Sequence, residues 1–244
     1  MKISSKFDSG NIEVVSIKED GNIQLRIPKD TNSDFSQWFH FRLTGASGKN
    51  VTIEILDADK TSYPDGWKNY SACASYDRDE WFRVQTTFEK NGSLIIQLTP
   101  YENSIYFSYF APYSYEQHQE LVHEAQLSPL CNLEVIGETV EGYDIDMLTI
   151  GEAGDNKKKV WVIARQHPGE SMAEWFIHGM LERLLDESDP VSRKILEKSV
   201  VYVIPNMNID GSIAGNLRSN AAGANLNREW AGPTIERSPE VYYA

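Results

Sequence analysis

The sequence predicts an α/β chain in two parts, an N-terminal antiparallel β-sandwich followed by a mixed-sheet α/β unit. Three observations carry this. From Phe7 to about Tyr109, short apolar segments recur between turns, with no helical period of useful length. From Lys157 to Leu185, a short apolar run, a Pro-Gly break and a helical pattern follow one another. A second apolar run, Ser199 to Pro205, completes a strand–helix–strand order, which implies a right-handed parallel crossover.

In the first part, Ile12, Val14, Ile17 and Ile23, Leu25, Ile27 mark two strands around an Asp20-Gly21-Asn22 turn. Further strands are expected at 38–43, 51–56, 81–84, 93–98 and 106–110. Aromatic residues are dense here, including Trp38, Trp67, Trp81, Tyr63, Tyr70 and Tyr76. They read as core and rim of a small sandwich rather than as a carbohydrate surface. His40 reads as a hydrogen-bonded structural residue, and Ser75-Tyr76-Asp77-Arg78 as a charged turn.

Ala111-Pro112-Tyr113-Ser114 marks the joint, which divides the chain into domains 1–112 and 113–244. A helix is expected from Tyr115 to about Leu127, with Leu121, Val122 and Ala125 on one side. His118 and His123, five apart on it, form no i, i+4 clamp and read as surface histidines. Residues 133–137 and 144–151 read as paired strands. They lead into Val160 to Ala164, an apolar run of a length suited to a strand buried on both faces. After Pro168-Gly169, Ser171 offers a helix N-cap. Met172, Trp175, Phe176, Met180, Leu181, Leu184 and Leu185 mark the apolar helical face.

His167 and Glu170 flank that break, at the carboxyl end of the strand. An imidazole and a carboxylate so placed can converge on one cation. The same pair also fits a plain polar loop in which Glu170 favours the helix dipole, and both readings stand at this point. The neighbouring strand ends in the long polar loop Asn206 to Trp230, which should face the 167–170 turn. It contributes Arg218 and Arg228, with Asn227 beside the second; guanidinium forks match carboxylates and can stabilise oxyanions.

Bulk properties narrow the classes. The net charge of −13, with no basic stripe, argues against a nucleic-acid partner. No apolar run approaches membrane-span length, so no membrane association is expected. Two cysteines far apart, Cys73 and Cys131, and an N-terminus without a signal-like apolar core make a cytoplasmic location the expectation. Oligomeric state is not legible.

Four motifs in order carry a family resemblance: His167-Pro168-Gly169-Glu170-Ser171, Asn208-Ile209-Asp210-Gly211, Gly215-Asn216-Leu217-Arg218 and Asn225-Leu226-Asn227-Arg228-Glu229-Trp230. Together they resemble the zinc metallocarboxypeptidases of the carboxypeptidase A type, and within them the cytosolic carboxypeptidase subfamily. Gln37-Trp38-Phe39, Ser75-Tyr76-Asp77-Arg78 and Ala111-Pro112-Tyr113-Ser114 extend the similarity into the first half. The resemblance implies an α/β/α catalytic domain behind the sandwich, with this chain holding its front portion. It also implies one Zn2+ per active site and a peptide or protein C-terminus as substrate, with acidic terminal side chains as the subfamily analogy. His167 and Glu170 would be two of three protein zinc ligands. Arg218 would be the catalytic oxyanion stabiliser and a substrate contact, and Asn227 with Arg228 would hold the terminal carboxylate. The subfamily usually has Asp where Asn225 stands. Its third ligand, a His, and its general base, a Glu, lie beyond the last residue here, so the chain is expected to be the front part of a longer protein. The alternatives are a zinc amidohydrolase acting on a small acylated amino acid and, if the chain truly ends at Ala244, a non-catalytic module that binds C-termini.

Overall fold

The computed structural model describes residues 1–244, which divide into two compact units. The first comprises Met1–Pro112 together with Ile213–Leu217. Its strands are β1 (Lys2–Ser4), β2 (Glu13–Ile17), β3 (Asn22–Arg26), β4 (His40–Thr44), β5 (Val51–Leu56), β6 (Cys73–Ser75), β7 (Phe82–Arg83), β8 (Thr86–Phe88), β9 (Leu94–Leu98) and β10 (Ser104–Ser108). They form two five-stranded sheets, ordered β1-β4-β10-β6-β7 and β2-β3-β5-β9-β8.

Alternation explains how both sheets share one core. In β5, Val51, Ile53 and Ile55 are buried while the residues between them are partly exposed. These side chains, with Ile23, Leu25, Leu94 and Ile96, meet Phe41, Leu43, Ile105 and Phe107 of the other sheet in a single cluster. Trp67 closes it, its Nε1 donating to Ala58 O at 2.8 Å and Thr61 Oγ1 at 2.9 Å. The sandwich is not purely antiparallel, because β3 and β5 run parallel. Between them the chain crosses to the other sheet as β4 and returns in the same direction. Strands β1, β6 and β8 escape sequence reading because they are three residues long. His40 is the expected structural histidine, its Nδ1 2.9 Å from Ser9 Oγ.

The second unit, Tyr113–Ser212 with Arg218–Ala244, contains α1 (Tyr115–Ala125), β11 (Cys131–Glu138), β12 (Asp144–Ile150), β13 (Lys158–Ile163), α2 (Met172–Leu184), α3 (Pro190–Lys198) and β14 (Ser199–Ile204). Two short helices follow, α4 (Ile209–Ala214), of which Ile209–Ser212 belong to this unit, and α5 (Pro239–Tyr243). The sheet order is β11-β12-β14-β13. β13 and β14 are parallel, with Val160 opposite Val201, and the other pairings are antiparallel, so the sheet is mixed. Helix α1 starts on a capping box between Ser114 and Gln117, worth about 1 kcal/mol. Leu121, Val122 and Ala125 of α1 pack with Leu148, Val203, Ile177 and Leu181.

Four expectations are corrected here. β13 exists but is the sheet's edge, paired with β14 alone; Val160, Trp161 and Ile163 are exposed rather than buried on both faces. Burial on both faces needs partners that these residues do not supply. The buried stripe of α2 is Glu174, Ile177, Leu181 and Leu184, while Met172, Trp175 and Phe176 face outward. The hydrophobic pattern misled because a carboxylate occupies a core position. Ser171 precedes α2 as expected, but its backbone is already helical and its hydroxyl makes no capping bond. His118 is fully buried, not on the surface as His123 is, because it meets that same inward-facing carboxylate. Helix α3, with its Asp189 cap and Pro190, is an element the sequence reading did not separate from the preceding helix.

Candidate metal centre

The centre lies where β13 and β14 end. Ala164 N donates to Ile204 O and Met207 N to Ala164 O, both at 3.0 Å, so the two parallel strands release their loops side by side. Arg165 then turns the chain with φ +47°, a left-handed conformation unusual for a residue with a side chain. The tight turn that follows is closed by Glu170 N donating to His167 O at 3.0 Å.

Within that turn, His167 Nδ1 and Glu170 Oε1 stand 3.1 Å apart. The imidazole is mostly buried and the carboxylate half exposed, so the pair opens to solvent on one side. On the other side of the ring, Nε2 lies 3.3 Å from Asn225 Oδ1. An amide oxygen only accepts, so Nε2 carries a hydrogen, and in the neutral ring the Nδ1 lone pair faces Glu170. Two acceptors this close require a proton or a cation between them. With the proton there, the hydrogen bond from the His167 ring holds the Glu170 carboxyl below its ordinary pKa against the opposing effect of partial burial, and the charges of the protonated ring and of Arg218 reinforce this.

The second loop is tied to the first at three points besides Asn225. Asn208 Nδ2 donates to Gln166 O at 3.3 Å, and Trp230 Nε1 donates to Gln166 Oε1 at 2.7 Å. Gly211 packs so closely that a Cβ there would stand 2.4 Å from Pro168 Cγ and 2.5 Å from Ser219 O. Arg218, partly buried, lies near enough for its charge to act on Glu170. Asn227 and Arg228 sit exposed on the 3₁₀ turn Leu226–Arg228; Arg228 Nη1 approaches Asn227 O at 3.4 Å and makes no bond to His167 or Glu170. Sequence reasoning thus found the pair and the loop but missed three residues that hold them: Asn225, Arg165 and Glu174. Asn225 stood out only as a departure from a motif. Nothing in a pattern of polarity marks a buried Arg165 or Glu174.

Two family models match. The cytosolic carboxypeptidase N-terminal domain covers residues 3–110 and the zinc carboxypeptidase domain residues 115–239, more than half of the chain. The chain belongs to the zinc carboxypeptidase family. The structure of a metallo-carboxypeptidase from Burkholderia cenocepacia superposes with a TM-score of 0.97 at 50% identity, covering 99% of this chain and 65% of that one. The metallo-carboxypeptidase of Pseudomonas aeruginosa, solved in complex with (2-guanidinoethylmercapto)succinic acid, gives 0.96 at 43% identity, covering 100% and 65%. Cytosolic carboxypeptidase 1 of Xenopus laevis is 28% identical over 290 aligned residues, covering 100% of this chain and 23% of that protein. The chain therefore spans less than two thirds of each of these relatives.

The zinc carboxypeptidase match allows a test of the donor set. Two ligand atoms at about 2.0–2.1 Å from a tetrahedral zinc stand roughly 3.3 Å apart, close to the 3.1 Å between His167 Nδ1 and Glu170 Oε1. In the neutral ring, the tautomer that Asn225 favours leaves the facing nitrogen unprotonated, as a metal requires. The pair fits two ligand positions. No group of three His, Cys, Asp or Glu converges in these residues.

Proposed function

We propose a zinc-dependent metallocarboxypeptidase that hydrolyses C-terminal residues from peptides or proteins. The observation that carries it is the convergence of His167 Nδ1 and Glu170 Oε1 with the far ring nitrogen already engaged by Asn225. His167 and Glu170 would hold the zinc. Bound there, it would supply Lewis acidity to the scissile carbonyl and a water of lowered pKa. A third ligand and a general base are assigned to residues outside these 244, in keeping with the part of its relatives' length that the chain does not span. Arg218, whose charge already acts on Glu170, would meet the negative charge that develops on the substrate oxygen. Arg228 and Asn227, exposed at the rim, would take the terminal carboxylate, which only an exopeptidase substrate offers. Acidic terminal side chains are the preferred class by subfamily analogy. A cytoplasmic setting accords with the relatives named cytosolic and with the lack of any helix long and apolar enough to cross a membrane.

The test is zinc content and release of C-terminal amino acids from a peptide panel by the full-length protein. Arg228→Ala is expected to raise KM strongly for peptides with a free C-terminus. An unchanged KM removes the clamp, and endoproteolysis or no release removes the exopeptidase reading. A second reading applies to residues 1–244 by themselves, where two ligands without a third support C-terminus binding without cleavage. Retention of such peptides with no hydrolysis by that piece would favour it.

A further inference from the structure

Behind the turn lies a buried charge cluster that the proposed reaction does not use. Glu174 points into the core from α2 and is fully inaccessible. Its Oε1 is 2.7 Å from His118 Nδ1, and its Oε2 accepts from Arg165 Nη1 at 2.7 Å and from Asn206 Nδ2 at 3.2 Å. His118 faces a second carboxylate, with Nε2 3.5 Å from Asp146 Oδ2, too long a separation to count as a hydrogen bond. Burial opposes charging of this ring, but the carboxylates of Asp146 and Glu174 override it and lift its pKa to about 9. Two cations and two anions therefore balance inside the unit, the condition under which buried charges persist.

The cluster is connected to the candidate metal centre most directly through Arg165. The Arg165 guanidinium donates to Glu174, to Tyr113 O at 2.7 Å and, through Nε, to Pro168 O at 3.0 Å. Pro168 lies between His167 and Glu170, and Arg165 itself holds the left-handed backbone that starts the turn. A strained φ of this kind persists only where surrounding bonds over-determine it. Asn206 extends the same carboxylate to the second loop, since its Oδ1 accepts from Asn208 N at 2.9 Å and Asn208 in turn bonds Gln166 O.

We propose that Glu174 is a positioning residue: its carboxylate fixes the Arg165 guanidinium, and through it the turn that presents His167 and Glu170 as a pair. The inference rests on the metal reading above for its consequence, though not for its geometry. Glu174→Gln keeps the size and removes the charge. Arg165→Lys keeps the charge but cannot bridge three acceptors with one fork. Leu196→Ala, in the core away from the turn, serves as a control for general destabilisation.

The experiment measures two quantities in the full-length protein: amide exchange of residues 166–171 without metal, and zinc affinity by chelator competition. Both Glu174→Gln and Arg165→Lys are expected to speed exchange in that segment at least tenfold and to weaken zinc by about 10–100-fold. Leu196→Ala is expected to lower Tm with neither change. Exchange that rises evenly across the unit, or zinc affinity equal to wild type, overturns the positioning role. A wild-type protein that binds no zinc overturns the metal reading, while the exchange comparison still decides this one. Should Glu174→Gln fail to fold, Arg165→Lys alone decides.

Discussion

His167 Nε2 rests 3.3 Å from the amide oxygen of Asn225, a residue that reaches the ring from 58 positions down the chain. This single acceptor sets the tautomer and so determines which nitrogen is offered at the mouth of the centre. Asn225→Ala frees the ring to rotate and to carry its hydrogen on either nitrogen. Zinc affinity is expected to fall about tenfold, by competition with a chelator. Asn225→Asp restores an acceptor and adds charge, so its affinity is expected to equal or exceed that of the wild type. Equal affinities for Ala and Asn at this position would remove the tautomer argument.

Gly211 is where the second loop passes beneath the first. A methyl group there meets Pro168 Cγ, Ser219 O and Asn208 Oδ1 at 2.7 Å or less. Two of these belong to loops held on both sides, so the neighbours cannot simply swing away. Gly211→Ala is expected to cost about 1–3 kcal/mol in denaturant unfolding through overpacking. It should also displace the turn that carries His167, read as weaker zinc binding. A stability loss without any change at the centre would show that the two loops move independently.

The parts of the fold legible in the sequence were those governed by period. Val51 to Leu56 alternates and forms a strand with alternating burial, and the parallel pair β13 and β14 follows from two apolar runs around a helical one. The His167–Glu170 pair was legible because both residues lie within one turn. What stayed hidden depends on chain reversal or on charge turned inward. β3 and β5 run parallel only because β4 crosses to the other sheet. His118 was read as a surface residue and Glu174 was not singled out, although each supplies the other's partner inside the core. The contact between His167 and Asn225 joins residues from two loops, and no local pattern predicts such a pairing.

Glu240, buried in α5, accepts from Asn220 Nδ2 at 3.2 and 3.1 Å, and Asn220 Oδ1 accepts from Ala224 N, next to Asn225. Burial pushes its carboxyl from the ordinary 4.5 up to about 7, with the Asn220 bond and its own helix N–H opposing and the Asp210 charge assisting. A folded-state pKa raised in this way favours the protonated form in the native state. The contribution is fully present below about pH 4.5 and is lost as pH rises through about 7. Glu240→Gln is expected to flatten stability between pH 5 and 8 and to be the more stable protein at pH 8, by roughly 1–3 kcal/mol at 1.36 kcal/mol per pK unit. Parallel pH profiles for wild type and variant in urea unfolding would exclude it.

β13 presents an unpaired edge with Val160, Trp161 and Ile163 exposed, and Trp161 stacks on Tyr202 with ring centroids 4.7 Å apart. An exposed apolar edge of this kind templates pairing with another strand. The net charge of −13 opposes association at low salt, where repulsion is least screened. Residues 1–244 prepared alone are therefore expected to self-associate as ionic strength rises, seen as growing light scattering between about 20 and 300 mM salt, a range over which the Debye length falls from about 20 Å to below 10 Å. Ile163→Lys places a charge on the edge and is expected to suppress the scattering without shifting Tm by more than a few degrees, because the side chain is already exposed. Association that persists in this variant would move the sticky surface elsewhere, with Phe176 on α2 the next residue to replace.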